Sequence, residues 1–190
     1  MNAPHGEPDG GAVGKNGTVE KNINLAIVMK LRDILEEEGV IVVLTRDSDS
    51  GLQDADADTI RKMKISDMHK RLEIIKRSRA DLFLSIHMNS FADAKVNGLH
   101  IFYDKQHSEI EELAKNIQSS ISKVTNAEVH SVKTADEKLF LMKDPPIPAI
   151  LAECGFLSNP EEEKKLSDET YQAKIAWAIA EEITKYYKVR

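Results

Sequence analysis

A single-domain α/β fold is what the sequence predicts: a mixed, mostly parallel twisted sheet with helices on both faces. Strand and helix patterns alternate along the chain, and such alternation builds parallel sheets. Two strand runs, Val40-Ile41-Val42-Val43-Leu44 and Leu82-Phe83-Leu84-Ser85-Ile86, are apolar at nearly consecutive positions rather than at every second one, as strands covered on both faces are. A length of 190 residues, 41% of them hydrophobic, suits one packed core and is short for two.

The chain opens in a glycine-rich stretch, with Gly6, Gly10, Gly11, Gly14 and Gly17, which reads as a shaped loop. Ile27, Leu31, Ile34 and Leu35 then recur at helical spacing. Gly39 stands where a C-terminal cap belongs, so a helix is predicted over roughly residues 18–38 with Glu20 in its first turn. The β-branched run over residues 40–44 predicts a strand. Residues 45–65, with Asp47, Asp49, Asp54, Asp56 and Asp58, have little to bury and are expected to form a mobile surface loop; their spacing is not that of an EF-hand.

Met68, Leu72 and Ile75 mark a second helix ending near Arg79, and residues 82–86 a buried strand that stops at His87. A third strand over about residues 99–103 precedes a helix announced by Ser108 and Glu111 as a capping box, with Ile110, Leu113, Ala114, Ile117 and Ile121 on its apolar face. Residues 139–142 predict a short edge strand. Pro145, Pro146 and Pro148 break the chain before a last strand over residues 149–152, which Glu153 closes. Asn159 as cap and Pro160 at the first helical position begin another helix, and a longer one carries Ala173, Ala176, Ile179 and Ile183 toward the C-terminus.

With 26 basic against 32 acidic side chains the formal charge is −6, which leaves no surplus of positive charge for a phosphate backbone and argues against nucleic acid as a partner. Cys154 is the single cysteine, so an internal disulfide and a cysteine-built zinc site are both excluded. A bound metal must then be held by imidazole and carboxylate. No apolar stretch approaches the roughly 18 residues of a membrane span, and the first residues hold no signal-peptide core. Either the protein is cytoplasmic or its targeting segment is not in this chain.

His5, Glu20, His87 and Glu153 all stand near the ends of predicted elements. Two imidazoles and one carboxylate make the ligand set of a catalytic zinc site, with the second carboxylate left as a base. Each residue also has a plainer reading. His5 suits a solvated turn, and Glu20 suits the first turn of a helix capped by Gly17 or Thr18. His87 suits a core histidine satisfied by backbone. Glu153 is the hardest to explain as structure, because it follows apolar residues and precedes Cys154-Gly155-Phe156, where an unpartnered carboxylate is costly to bury. His87 and Glu153 both belong to the carboxyl-end rim where α/β folds collect ligands. Cys154 should point away from Glu153 and is read as a small buried apolar residue. His69, His100, His107 and His130 have no clear carboxylate setting and are read as structural or solvated.

Five ordered segments resemble a known family, the zinc-dependent N-acetylmuramoyl-L-alanine amidases of cell-wall lysis and spore-cortex processing. They are His5-Gly6-Glu7-Pro8-Asp9-Gly10-Gly11-Ala12-Val13-Gly14, Glu20-Lys21-Asn22-Ile23-Asn24-Leu25, Leu44-Thr45-Arg46, Ala80-Asp81-Leu82-Phe83-Leu84-Ser85-Ile86-His87-Met88-Asn89 and Glu153-Cys154-Gly155-Phe156-Leu157-Ser158-Asn159. The resemblance spans essentially all of residues 1–190, read as one amidase catalytic domain. It implies one Zn2+ per chain held by His5, Glu20 and His87, with Glu153 as the catalytic carboxylate that takes a proton from water and returns it to the leaving amine. The implied reaction is hydrolysis of the amide between N-acetylmuramic acid and L-alanine. The implied partners are peptidoglycan glycan strands with their stem peptides, outside the cytoplasm. Residues 138–159 are most similar to the spore-cortex (germination-specific) members, which lead muramic acid toward its δ-lactam. Whether an accessory protein loads or retains the zinc is left open.

Two departures from the family pattern stand out. Pro4 precedes the His5-Gly6 pair and Glu7 follows it where glycines are usual. The family's opening strand is reduced to Met1-Asn2-Ala3, which predicts a vacancy in the sheet and an exposed edge. The competing reading is a peptidoglycan-binding or scaffold domain that kept the fold and lost catalysis.

Overall fold

In the computed structural model, which describes residues 1–188, the sheet has four strands. Strand β1 (Phe83–Asn89) lies parallel to β4 (Ala149–Phe156), β4 antiparallel to β2 (His100–Tyr103), and β2 parallel to the short β3 (Lys133–Thr134), in the order β1-β4-β2-β3. The predicted mixed, mostly parallel sheet is therefore present.

Alternation along the strands separates two layers. Leu84, Ile86 and Met88 of β1, Ile150, Ala152 and Cys154 of β4, and Ile101 and Tyr103 of β2 enter the main core. Helices α1 (Glu20–Glu37), α3 (Glu111–Thr125) and α5 (Glu169–Lys188) close that core with Ile27, Leu31, Ile117, Ile121, Ile175 and Ile179, each fully buried. Each such side chain contributes about 1.5–3 kcal/mol by leaving water. On the other face Phe83, Leu151 and Ala149 meet Ile75 of α2 (Ile60–Ser78) and Leu141 and Met142 of a 3₁₀ turn (Phe140–Met142). This second layer is short. It covers one end of the sheet and leaves His87 and Glu153, farther along the same face, at its edge.

Met1-Asn2-Ala3 runs beside β1. Asn2 bridges Ser85 in parallel, donating its N–H to the Leu84 carbonyl at 2.8 Å and accepting from the Ile86 N–H at 3.2 Å. On its other side the Met1 carbonyl accepts the Thr45 N–H and the Met1 amino group reaches the Val43 carbonyl. Residues 40–44 do not form the doubly covered strand expected of them. Val40, Val42 and Leu44 pack on the main core, but Ile41 is 92% exposed, and among the described residues only Met1 extends a ladder to this segment. β-Branched residues at consecutive positions thus gave the wrong inference about coverage.

Other boundaries shift for local reasons. Helix α2 begins at Ile60, inside the segment expected to be loop, because the Thr59 side chain caps it by accepting the Lys62 N–H. Three of the five aspartates before it are engaged by cations: Asp49 by Lys21, Asp54 by Lys70 and Asp58 by Lys62. The Ser108–Glu111 capping box does not form. Ser108–Ile110 is a 3₁₀ turn, Asp104 accepts the N–H groups of Gln106 and His107, and Glu111 turns instead to Tyr103 and Lys115. Residues 139–142 form no edge strand: Phe140–Met142 is the 3₁₀ turn, with Leu139 before it, and the edge belongs to β3. Strands β1 and β4 run two to four residues past their predicted ends, so His87 and Glu153 lie within strands. Asn159 and Pro160 open α4 (Pro160–Leu166) as predicted, with the Asn159 side chain accepting the N–H groups of Glu161 and Glu162.

Candidate metal centre

Glu20 is the first residue of α1, and its N-cap is Val19, not Gly17 or Thr18. Val19 has no side chain to cap with, so the loop supplies the acceptors. The Glu20 N–H donates to the Ala12 carbonyl at 2.9 Å and the Lys21 N–H to the Gly10 carbonyl at 3.1 Å. The Glu20 carboxylate is thereby free of helix capping and turns toward β1. One oxygen accepts the Ala12 N–H at 2.8 Å and lies 3.3 Å from His5 Nε2; the other accepts the Met88 N–H at 3.2 Å and lies 3.2 Å from His87 Nδ1. Burial works against its charge, but the contacts from His5 and His87 outweigh that and hold the carboxyl well below the usual carboxylate range.

His5 sits in left-handed backbone, at φ 61°, a conformation uncommon for a residue with a side chain. Its Nδ1 lies 2.7 Å from Asp9, which also holds Lys64 at 3.0 Å, and its carbonyl accepts from Arg71 at 2.7 Å. A carboxylate on the far ring nitrogen fixes the tautomer and aim of a ligating imidazole. Burial lowers the His5 affinity for a proton, yet Glu20 and Asp9 outweigh it and the pKa is raised. His87 and Glu153 are brought side by side by the parallel register of β1 and β4, where they are direct partners.

The donor atoms of His5, Glu20 and His87 all lie within 4.8 Å of one another. Two imidazoles with one carboxylate is a donor set suited to a catalytic zinc with an open position. The backbone supports that fit at Gly11, where a Cβ would fall 2.5 Å from Glu20 Oε2 and 2.9 Å from His5 Nε2. The loop passes so near the donors that only glycine leaves them room. The Glu153 carboxyl lies next in register to His87, with Oε2 buried and without a hydrogen-bond partner, and burial pushes its pKa up to about 7. A carboxyl poised near neutrality is suited to take and return a proton.

The four residues singled out from the sequence thus converge. The sequence reading missed Asp9, although an acid four residues after His5 in a glycine loop was a usable signal. It also missed Arg71, which is 1% exposed and donates to Asn2, Ala3, His5, Thr45 and Asp67, tying the loop to α2. A cavity of about 310 Å³ opens beside His5 and His87, walled by Ile60, Met63, Met68 and Phe140. Cys154 is 1% exposed and its thiol is pushed up by burial, which rules it out as a nucleophile. His107 is held by Asp104 and His130 by the Asn97 carbonyl, while His69 meets the Phe140 ring. His100 is the exception among these, since the antiparallel register sets it opposite Glu153; its ring lies tilted against that of His130, with centroids 3.9 Å apart, and burial lowers its pKa to about 4.

A family model described as N-acetylmuramoyl-L-alanine amidase matches residues 1–185. The chain is 36% identical over 183 residues to the germination-specific N-acetylmuramoyl-L-alanine amidase of Bacillus subtilis, covering 96% of this chain and 76% of that protein. It superposes with a TM-score of 0.94 and 45% identity on the CwlD amidase of Clostridioides difficile, solved in complex with the GerS lipoprotein, over 100% of this chain and 97% of that one. The catalytic domain of the amidase CwlV from Bacillus (Paenibacillus) polymyxa aligns at 30% identity and a TM-score of 0.84, over 100% and 97% of the two chains.

Proposed function

The chain belongs to the N-acetylmuramoyl-L-alanine amidase family, and from that premise we propose that it is a zinc enzyme in which His5, Glu20 and His87 hold the metal and Glu153 carries the proton. The observation that carries this reading is the convergence of the three donors within 4.8 Å beside the Glu153 carboxyl, whose Oε2 is buried and without a hydrogen-bond partner. Zinc, when bound, would polarise the scissile carbonyl and make a water acidic enough to react near neutral pH. The protein's own residues do the rest. Asp9 orients His5, and the Ala12 and Met88 amides orient Glu20. Glu153, ionised, accepts the proton of the attacking water and then delivers it to the nitrogen of the leaving L-alanine. The cavity beside His5 and His87 gives an arm of the substrate a place to lie.

The substrate is peptidoglycan, so the site of action lies outside the cytoplasmic membrane; no helix of the described residues is long and apolar enough to cross one. The relatedness to a germination-specific amidase supports a role in spore-cortex maturation, with the muramic acid freed of its peptide going on to the δ-lactam. A lipoprotein bound to the CwlD amidase supports an accessory partner for this chain. Metal analysis with a peptidoglycan digest tests the core of the reading. We expect about one zinc per chain, as a three-ligand catalytic site requires, stem peptides released with free N-terminal L-alanine, and loss of that release on chelation. Undiminished release from zinc-free protein would remove the metal from the mechanism. Unchanged δ-lactam content in cortex lacking the gene would remove the cortex role and leave the amidase intact.

A further inference from the structure

Helix α4 follows directly on the strand that carries Glu153, and it has no part in the chemistry described so far. Its first turn holds three consecutive glutamates, of which two are buried, Glu162 at 9% and Glu163 at 1% exposure. Buried carboxylates need partners, and here the partners are backbone amides of two different segments. Glu163 accepts the N–H of Asn16 at 3.0 Å, the N–H of Thr18 at 3.3 Å and the Asn16 side-chain amide at 2.9 Å. Glu162 accepts the N–H of Phe156 at 2.8 Å and that of Gly98 at 3.0 Å.

These segments are the two arms of the metal centre. The one held by Glu163 is a tight reversal in which the Gly14 N–H meets the Thr18 carbonyl at 2.8 Å and Val13 bridges Val19. The next residue is Glu20, locked to Ala12 by bonds in both directions. The contact is close: a Cβ on Gly14 would lie 2.2 Å from Glu163 Oε1. The segment held by Glu162 lies three residues beyond Glu153, where β4 leaves the site, and is tied there to the residues leading into β2. One short helix therefore sets the loop-borne donors and the strand-borne carboxylate relative to each other.

We propose that Glu162 and Glu163 are positioning residues of this site, which rests on the zinc reading above: Glu163 fixes the arm bearing His5 and Glu20 and so sets metal affinity, whereas Glu162 fixes the arm bearing Glu153 and so sets turnover. Neither touches the reacting atoms. Replacing either carboxylate by an amide swaps one acceptor oxygen for an N–H donor that faces other donors, leaving buried N–H groups unsatisfied. A purely structural tether would behave differently, lowering stability while the metal-loaded enzyme kept native constants.

The test uses the full chain with Glu163→Gln, Gly14→Ala, which disturbs the same contact from the loop side, and Glu162→Gln. Three quantities are read for each: zinc affinity by competition with a chromogenic chelator, kcat at rising zinc, and the thermal midpoint of the metal-free protein. Glu163→Gln and Gly14→Ala are expected to weaken zinc binding by about 10–100-fold, the range for groups that orient metal ligands, with activity recovering as zinc is raised. Glu163→Asp, which keeps both acceptor oxygens, should restore part of that affinity. Glu162→Gln is expected to hold zinc like the wild type and to lose kcat that no added zinc recovers. Native zinc affinity and native kcat in folded variants, with only the midpoint lowered, overturns the proposal. If Glu163→Gln does not fold, Gly14→Ala decides the first arm. Wild type measured alongside separates the failures: wild type that binds no zinc overturns the metal reading and this one with it, while zinc-bound wild type with unaffected variants overturns the positioning roles alone.

Discussion

Gly11→Ala puts one methyl group against the donor atoms of His5 and Glu20, two of the three proposed metal ligands. The residue sits at φ +73°, where a side chain adds about 1–2 kcal/mol of backbone strain. The steric term is larger in its consequence. The new carbon would stand 2.5 Å from Glu20 Oε2, 2.7 Å from His5 Cδ2 and 2.9 Å from His5 Nε2, where ordinary contact begins at 3.4 Å. Relief requires the carboxylate to retreat by roughly 0.9 Å and the imidazole by roughly 0.7 Å, several times the tolerance of about 0.2 Å on zinc–ligand distances. One ligand is then lost. Zinc affinity should fall by more than about 100-fold, beyond the range for groups that merely orient ligands. Chelator competition reads this directly. Gly39→Ala is the control, because it has the same kind of backbone, φ +82°, with nothing within 4 Å of its Cβ; it should show the strain in a denaturation curve and native zinc binding. Gly11→Ala protein that binds zinc as tightly as the wild type would refute the assignment of His5 and Glu20 as co-ligands.

Glu153→Gln should keep zinc and lose turnover by about 10²–10⁴-fold, the usual contribution of a positioned acid–base group; retained hydrolysis would take Glu153 out of the mechanism. The same substitution should stabilise the metal-free protein at high pH. The Glu153 carboxyl titrates at about 7 when folded against 4.5 ordinarily, so the native state loses stability as pH rises across that interval. The variant should therefore melt like the wild type near pH 4 and above it at pH 8, and equal midpoints at pH 8 would contradict the burial argument. His5 has a raised pKa, and a zinc ligand must be neutral, so zinc binding should weaken as pH falls through that pKa. Asp9→Asn removes one cause of the raised value and should move this acid limb to lower pH; an unmoved limb would show that Asp9 does not govern His5. Arg71→Ala leaves Asp67 and several carbonyls without their buried donor and should cost about 3–5 kcal/mol in urea denaturation. A change below about 1 kcal/mol would mean the Arg71 network does not hold the loop to α2.

The parts of the fold that were legible in the sequence are those fixed by local patterns with one meaning. Asn159-Pro160 named a helix start because the cap and the first-turn proline act within one turn. Ile27, Leu31 and Leu35 named the buried stripe of α1. Residues 40–44 were misread because their apolar character reports packing on the main core and is silent about what lies on the other side, and Ile41 faces solvent there. The capping box at Ser108 failed because Ser108–Ile110 winds as a 3₁₀ turn and the Glu111 carboxylate that the box needs is taken by Tyr103 and Lys115, partners that the four-residue window does not contain. At the site, His87 and Glu153 were legible as candidates on strands, although both lie within their strands rather than at the ends expected, and their adjacency is a property of the β1–β4 register that no local pattern states. Gly11 and Glu163 act through a loop whose path is set by long-range bonds, so their roles became visible only in three dimensions.

Glu20 shows why the two readings of one residue were hard to separate. A carboxylate in the first turn of a helix is favoured by the helix dipole whether or not it serves anything else. What decides between cap and ligand is the supply of other acceptors for the helix amides. Here the carbonyls of Ala12 and Gly10 take the N–H groups of Glu20 and Lys21, and the Ala12 N–H returns a bond to the Glu20 side chain. The loop that begins at His5 and the start of α1 therefore form one hydrogen-bonded unit. A shift of that loop moves two of the three donors together while His87 and Glu153 stay on their strands. Damage to the loop should thus reach metal affinity before it reaches the fold, and damage to the β1–β4 register should reach both at once.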